Sequence, residues 1–91
     1  MYSVIYTSSA LKDLKKLPPE VAKKLFLAVG EIKENPYSHI KKLKTASDSP
    51  IYSLRVGEYR VLMTIENDQL VIFVIEAGHE AGHRSKIYRK Y

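Results

Sequence analysis

The stretch 52–60, Tyr-Ser-Leu-Arg-Val-Gly-Glu-Tyr-Arg, leaves this chain little choice of local conformation. Gly57-Glu58 separates two runs rich in strand-forming residues, and Gly at the first central position suits a type II′ turn. A two-residue turn dictates the register, with Val56 opposite Tyr59 and Arg55 opposite Arg60 on one face of the sheet. Like charges directly across a ladder repel, so the pair costs stability unless negative charge lies between them. Phosphate would supply that charge, because the guanidinium fork matches phosphate oxygens. Two solvated arginines splaying apart on an open face is the competing reading of the same geometry.

The alternation continues past the hairpin. Three strands are expected, at 51–56, 59–66 and 69–77, with Asn67-Asp68 as a second tight turn that pairs Thr64 with Val71 and Leu62 with Phe73. One face then carries Tyr52, Leu54, Val61, Met63, Ile65, Leu70, Ile72 and Val74, and must pack on helices. The other carries Ser53, Arg55, Arg60, Leu62, Thr64, Glu66, Val71, Phe73 and Ile75. With Ile75 beside Arg60, this mixed face reads as a ligand groove and not as a second core. Gly78 is expected to break the last strand.

Upstream, residues 2–7 alternate as a strand. Ser8 or Ser9 can cap a helix with Leu11, Leu14 and Leu17 on its apolar face, and Pro18-Pro19 stops it. A second helix follows, with Val21, Leu25, Ala28, Val29 and Ile32 at helical spacing, ended by Asn35-Pro36. Gly30 inside it costs about 1 kcal/mol relative to Ala, which points to close packing there. Residues 37–50 read as a basic loop. The expected fold class is α+β: an N-terminal strand, a helical hairpin, a three-stranded antiparallel meander packed on the helices, and a short basic C-terminal segment, all in one domain spanning 1–91.

The formal net charge is +5, concentrated at residues 39–44 and 83–91, which hold basic residues and no acidic ones. Such patches favour polyanions, nucleic acid first and an anionic membrane surface second, since no large apolar helical face accompanies them. There is no cysteine, which excludes disulfide and thiolate chemistry. The start shows no signal-peptide pattern, and the longest apolar run, 70–75, is far too short to span a bilayer, so a cytoplasmic protein is expected.

His79-Glu80-Ala81-Gly82-His83 matches H-E-x-x-H, but a zinc site of that kind needs both histidines on one helical face. Gly78 and Gly82 argue for a loop, so no metal is assigned. Phosphate-binding loops, nucleophile elbows and Mg²⁺-binding carboxylate clusters are absent from the sequence. Seven tyrosines without a tryptophan suggest base-stacking surfaces, with Tyr2 and Tyr6 set aside as structural. Taken alone, the run 82–88 reads as a short terminal helix with a basic solvated face.

The order of elements resembles the RelE/ParE superfamily of toxin–antitoxin toxins, RelE-like branch. The resemblance is carried by Ser-Ser-Ala-Leu-Lys-Asp-Leu-Lys-Lys-Leu-Pro (8–18), Asn-Pro (35–36), Tyr-Ser-Leu-Arg-Val-Gly-Glu-Tyr-Arg-Val-Leu (52–62) and Gly-His-Arg-Ser-Lys-Ile-Tyr (82–88), and covers essentially the whole chain. RelE-like members are ribosome-dependent endoribonucleases that cut messenger RNA. ParE-like members share the fold, inhibit DNA gyrase, and usually lack the terminal catalytic Arg and Tyr, both of which this chain keeps. The resemblance implies that Arg60 contacts the scissile phosphate, that Tyr88 takes part in catalysis and stacks on RNA, and that Arg84 is a second phosphate-stabilising arginine.

Two departures accompany it. The segment after Gly78 is two residues longer than in the RelE type member. RelE-type enzymes carry two strand lysines, one a proposed general base, where this chain has Ile51 and Ser53. Lys42, Lys44 and His83 are the substitutes on offer. The resulting expectation is a metal-independent, cofactor-free messenger-RNA endonuclease toxin in which the 2′-hydroxyl attacks and a 2′,3′-cyclic phosphate forms. Arg60, Arg84, Tyr88 and His83 would be catalytic, and Arg55, Lys41, Lys42, Lys44, Lys86 and Arg89 would bind phosphate. The alternatives are a gyrase inhibitor and a non-catalytic nucleic-acid- or ribosome-binding module. The implied partners are the ribosome, messenger RNA and a RelB-like antitoxin that lays a helix along the toxin in a heterodimer or heterotetramer.

Overall fold

Proline and hydroxyl chemistry set the first turn of the chain. Strand β1 (Ser3–Tyr6) feeds helix α1 (Ser8–Lys15), and Thr7, in extended conformation, accepts the Ala10 amide on its side-chain oxygen at 3.2 Å. The cap is therefore Thr7, one residue before the serines the sequence suggested. Helix α2 (Pro19–Glu31) starts at Pro19, whose missing N–H is no loss at a first helical position. A short 3₁₀ turn over Pro36–Ser38 leads to β2 (Lys41–Leu43), β3 (Ile51–Val56), β4 (Tyr59–Glu66) and β5 (Val71–His79). This computed structural model describes residues 1–43 and 50–79.

The five strands form one sheet in the order β1-β5-β4-β3-β2, with β1 parallel to β5 and the other pairs antiparallel. The helices cover one face. Leu14, Leu25, Val29 and Ile32 meet Leu54, Val61, Met63, Ile72, Val74 and Ala77 in a dry core. On α1 the buried partner of Leu14 is Ala10, while Leu11 is exposed, because α1 lies close on β5 and leaves room for only a small side chain there. No helix among the described residues is long and apolar enough to cross a membrane.

Several expectations are corrected. Part of the basic loop is strand: β2 pairs with β3, Lys41 opposite Ser53 and Leu43 opposite Ile51. The second turn holds four residues, not two, so Glu66 faces Val71 and Thr64 faces Phe73. Leu70 closes that turn at φ 53° and is exposed, out of the core row assigned to it. The face away from the helices carries a small core of its own, where Ile51 and Leu62 are fully buried with Leu43 and Ile75 against them. Gly78 does not end β5, which runs through His79.

The largest correction is a β-bulge. Met63 faces Val74, but Leu62 faces Glu76, so Ile75 is one residue too many for its partner strand. From there Arg60 faces Gly78, not Ile75. Tyrosines close the opposite end of the sheet, where Tyr2 and Tyr37 both donate to the side-chain oxygen of Asn67, at 2.9 and 2.8 Å.

Gly30 is exposed, and a β-carbon built on it would meet nothing within 4 Å, so the close packing expected there is not present. Gly30→Ala should therefore raise stability by about 1 kcal/mol, read as a higher denaturant midpoint at unchanged slope. Burial beneath the Phe26 ring, with centroids 4.8 Å apart, pushes the Tyr6 phenol up to about 12. The neutral form is thus favoured by folding, and this contribution is complete below pH 10 and lost as pH rises towards 12. Tyr6→Phe should flatten the loss of stability between pH 10 and 12, measured by urea unfolding across that window.

Candidate phosphate-binding face

The two-residue turn forms as its sequence dictates. Gly57 adopts φ 60°, Val56 faces Tyr59, and Arg55 faces Arg60. Counting outward from the turn makes Arg55–Arg60 a non-hydrogen-bonded pair, the closer kind, with Cα atoms about 4.5 Å apart. Arg55 is exposed and Arg60 half-buried, and each makes a further interaction within the chain. Both project from the face opposite the helices, since their neighbours Leu54 and Val61 point into the main core.

Two rows of residues cross the arginine end of this face. One runs Arg55–Arg60–Gly78, and the other runs Lys41–Ser53–Leu62–Glu76. Lys41 thus stands beside Ser53 on the arginine face, its ammonium exposed. Lys42 faces Tyr52, which packs against the main core, so Lys42 belongs to the other side of the sheet. Basic composition groups the two lysines, and strand alternation separates them. Lys44, His83, Arg84, Lys86, Tyr88 and Arg89 lie outside the described residues.

Glu76 and Gly78 are the residues of this face that the sequence reading missed. The bulge brings both beside Leu62 and Arg60. A signal was present: strict alternation from Ile72 and Val74 would have put the carboxylate of Glu76 into the apolar core. An acidic residue falling on an inward position marks a register shift. Gly78 contributes no side chain across from Arg60.

His79 is a strand residue on the helix side, packed edge-on to Tyr59 with ring centroids 5.4 Å apart and 3.9 Å from the Glu58 carboxylate. The remaining residues of H-E-x-x-H lie outside the described region. The described tyrosines are committed to the fold. Tyr2 and Tyr37 hold Asn67, Tyr6 packs at a tilt against Phe26, Tyr37 meets Tyr52 edge-on, and Tyr52 and Tyr59 pack on the core. Burial, with the neighbouring Tyr37 second, raises the Tyr52 phenol above its ordinary value.

A family profile described as ParE toxin of type II toxin-antitoxin system, parDE, matches residues 4–84. The chain is 31% identical over 90 residues to Toxin RelG of Mycobacterium tuberculosis, covering 98% of each protein. It is 30% identical over 87 residues to the mRNA interferase toxin RelE of Escherichia coli K12, covering 96% of this chain and 90% of that one. Its fold superposes on the RelBE2 toxin–antitoxin complex of M. tuberculosis with TM-score 0.78 and 29% identity, over 87% of this chain and 98% of the matched one. Isolated E. coli RelE matches with TM-score 0.67 and 28% identity, over 99% and 94%.

The separation of the two lysines is measurable. Lys41→Ala should reduce the salt slope of single-stranded RNA binding by about 0.7, the equivalent of one phosphate contact, while Lys42→Ala leaves the slope near the wild-type value. Anisotropy titrations of a labelled oligonucleotide over a KCl series check this, and equal slopes for the two variants would contradict the assignment of faces.

Proposed function

This chain belongs to the ParE toxin family of type II toxin–antitoxin systems, as a RelE-like toxin, and on that premise we propose that it cuts messenger RNA on the ribosome. The observation that carries the reading is the cross-strand pair Arg55–Arg60 on the sheet face that also bears Lys41. The relative at 30% identity bears the name mRNA interferase, which supports the same chemistry here.

RNA brings its own nucleophile. The 2′-hydroxyl attacks the adjacent phosphorus, its proton passes to a base, the bond to the 5′-oxygen breaks, and that oxygen takes up a proton. The products are a 2′,3′-cyclic phosphate and a 5′-hydroxyl. Charge accumulates on the non-bridging oxygens during this step, and fixed guanidinium donors stabilise it more than they stabilise the starting diester. Arg60 fills that role, with Arg55 beside it and Arg84 as the second arginine of the set. His83 has the reference pKa nearest neutrality and accepts the proton. Tyr88 donates to the leaving oxygen and stacks on a base. Lys41, Lys44, Lys86 and Arg89 hold the flanking phosphates. Ile51, one of the two places where RelE-type enzymes carry lysines, is fully buried. Ser53, the other, sits beside Lys41, which restores a cation to that part of the face.

The chain acts in the cytoplasm, where its target is found, and is held inactive by an antitoxin. The solved relatives that include E. coli RelBE and M. tuberculosis RelBE2 are toxin–antitoxin complexes. Because the matching profile carries the ParE name, gyrase inhibition is the second reading.

Arg60→Ala should lower cleavage of messenger RNA on programmed ribosomes by about 10²-fold or more while the unfolding midpoint stays near wild type. Tyr88→Phe, which keeps the ring and removes the hydroxyl, should also lose cleavage. A folded Arg60→Ala protein as active as wild type would remove the phosphate-grip assignment. Inhibition of DNA supercoiling by a wild-type protein that leaves messenger RNA intact would replace the reading with the ParE type.

A further inference from the structure

Helix α1 grips β5 on both sides of its bulge. Thr7 donates its hydroxyl to the Val74 carbonyl at 3.0 Å. Asp13, 64 positions away from its partner in sequence, accepts the Ala77 amide on Oδ2 at 3.2 Å. Ile75, the extra residue, lies between these two anchor points. β1 accompanies β5 only as far as Tyr6 opposite Val74, so beyond Val74 no residue of β1 is paired with β5. Asp13 meets a backbone donor there that the β1 ladder does not reach.

The register at this point decides which residues surround Arg60. Without the bulge, the ladder that sets Met63 opposite Val74 would continue with Val61 opposite Glu76 and Arg60 opposite Ala77. Glu76 would then enter the core, and Gly78 would leave the arginine face, because a one-residue slip exchanges the faces of a strand. With the bulge, Ala77 is buried and Gly78 stands across from Arg60 with Glu76 one row away.

We propose that Asp13 is a positioning residue for the phosphate-binding face: by holding the Ala77 amide it locks the bulge that keeps Gly78 opposite Arg60 and Glu76 opposite Leu62. The inference rests on the phosphate-gripping role of Arg60 proposed above. A carboxylate makes a stronger acceptor than a neutral oxygen. Asp13→Asn retains an acceptor of the same reach, and Asp13→Ala retains none.

The test uses the full chain, isotope-labelled, as wild type, D13N and D13A. Cross-strand NOEs for Arg60–Gly78 and Leu62–Glu76 report the register, hydrogen exchange of the Ala77 amide reports the bond, and ribosome-dependent cleavage reports the site. D13A is expected to exchange the Ala77 amide about tenfold faster or more, to lose both NOEs, and to lose about tenfold or more in kcat with a smaller change in KM. D13N is expected to restore the NOEs and most of kcat. Retention of both NOEs and of Ala77 protection in D13A would overturn the inference, and so would their loss with kcat unchanged. If D13A does not fold, the wild type still decides: the Ala77 amide should be strongly protected from hydrogen exchange, and exchange at the rate of an open amide would overturn the bond. A wild type that cuts no messenger RNA defeats the endonuclease reading alone, since the NOEs and the exchange rate judge the role of Asp13 in the register without it.

Discussion

Strand β5 is the element against which the others are placed. Its inward line of Ile72, Val74 and Ala77 is buried beneath α1, β1 lies parallel along one edge, and β4 pairs along the other. The spacing within that line is two residues and then three, and the extra residue is the bulge. Bulges raise local twist and re-aim side chains, and they persist where neighbouring structure satisfies the backbone groups they free. Here α1 does so through Thr7 and Asp13. The helix side of the molecule thereby dictates what is presented on the opposite side, which bears the candidate chemistry.

Electrostatics explains why that opposite face is more than a spare surface. Two arginines at the closer kind of cross-strand position repel each other, and each is also engaged in a further interaction within the chain. Lys41 adds a third cation on the same face, and the chain as a whole carries +5. Glu76 tempers this field on the neighbouring row. The buried pair Ile51 and Leu62 forms a small apolar cluster on the same face of the sheet. Fixed cations aimed at a developing phosphorane charge stabilise it.

The tyrosines illustrate how packing reassigns residue types whose composition suggests one role. Tyr2 and Tyr37 converge on Asn67 and so clamp the four-residue turn between β4 and β5 to the start of the sheet. Tyr6, Tyr52 and Tyr59 bury their rings against the core. All five described tyrosines are thus engaged in packing or in holding Asn67. Relatives named as toxins match 98% and 96% of the chain at 31% and 30% identity. Ile51 is fully buried in the small second core.

Local chemistry was legible directly. Pro18-Pro19 separates two helices because proline cannot continue the first and suits the start of the second. Gly57-Glu58 places Arg55 against Arg60 because a two-residue turn admits one register. These features depend on neighbours a few positions apart, and so did the fold class and the inward faces of β3 and β4. Tertiary structure decided the rest. The parallel pairing of β1 with β5, the short β2 that turns Lys41 towards the arginines and Lys42 away, and the bulge that seats Gly78 beside Arg60 depend on contacts between distant segments. The bond from Asp13 to Ala77 spans 64 positions, and no periodicity within either segment encodes it. Alternation along one strand specifies faces only while its register holds, and what holds the register of β5 is a carboxylate on a helix near the start of the chain.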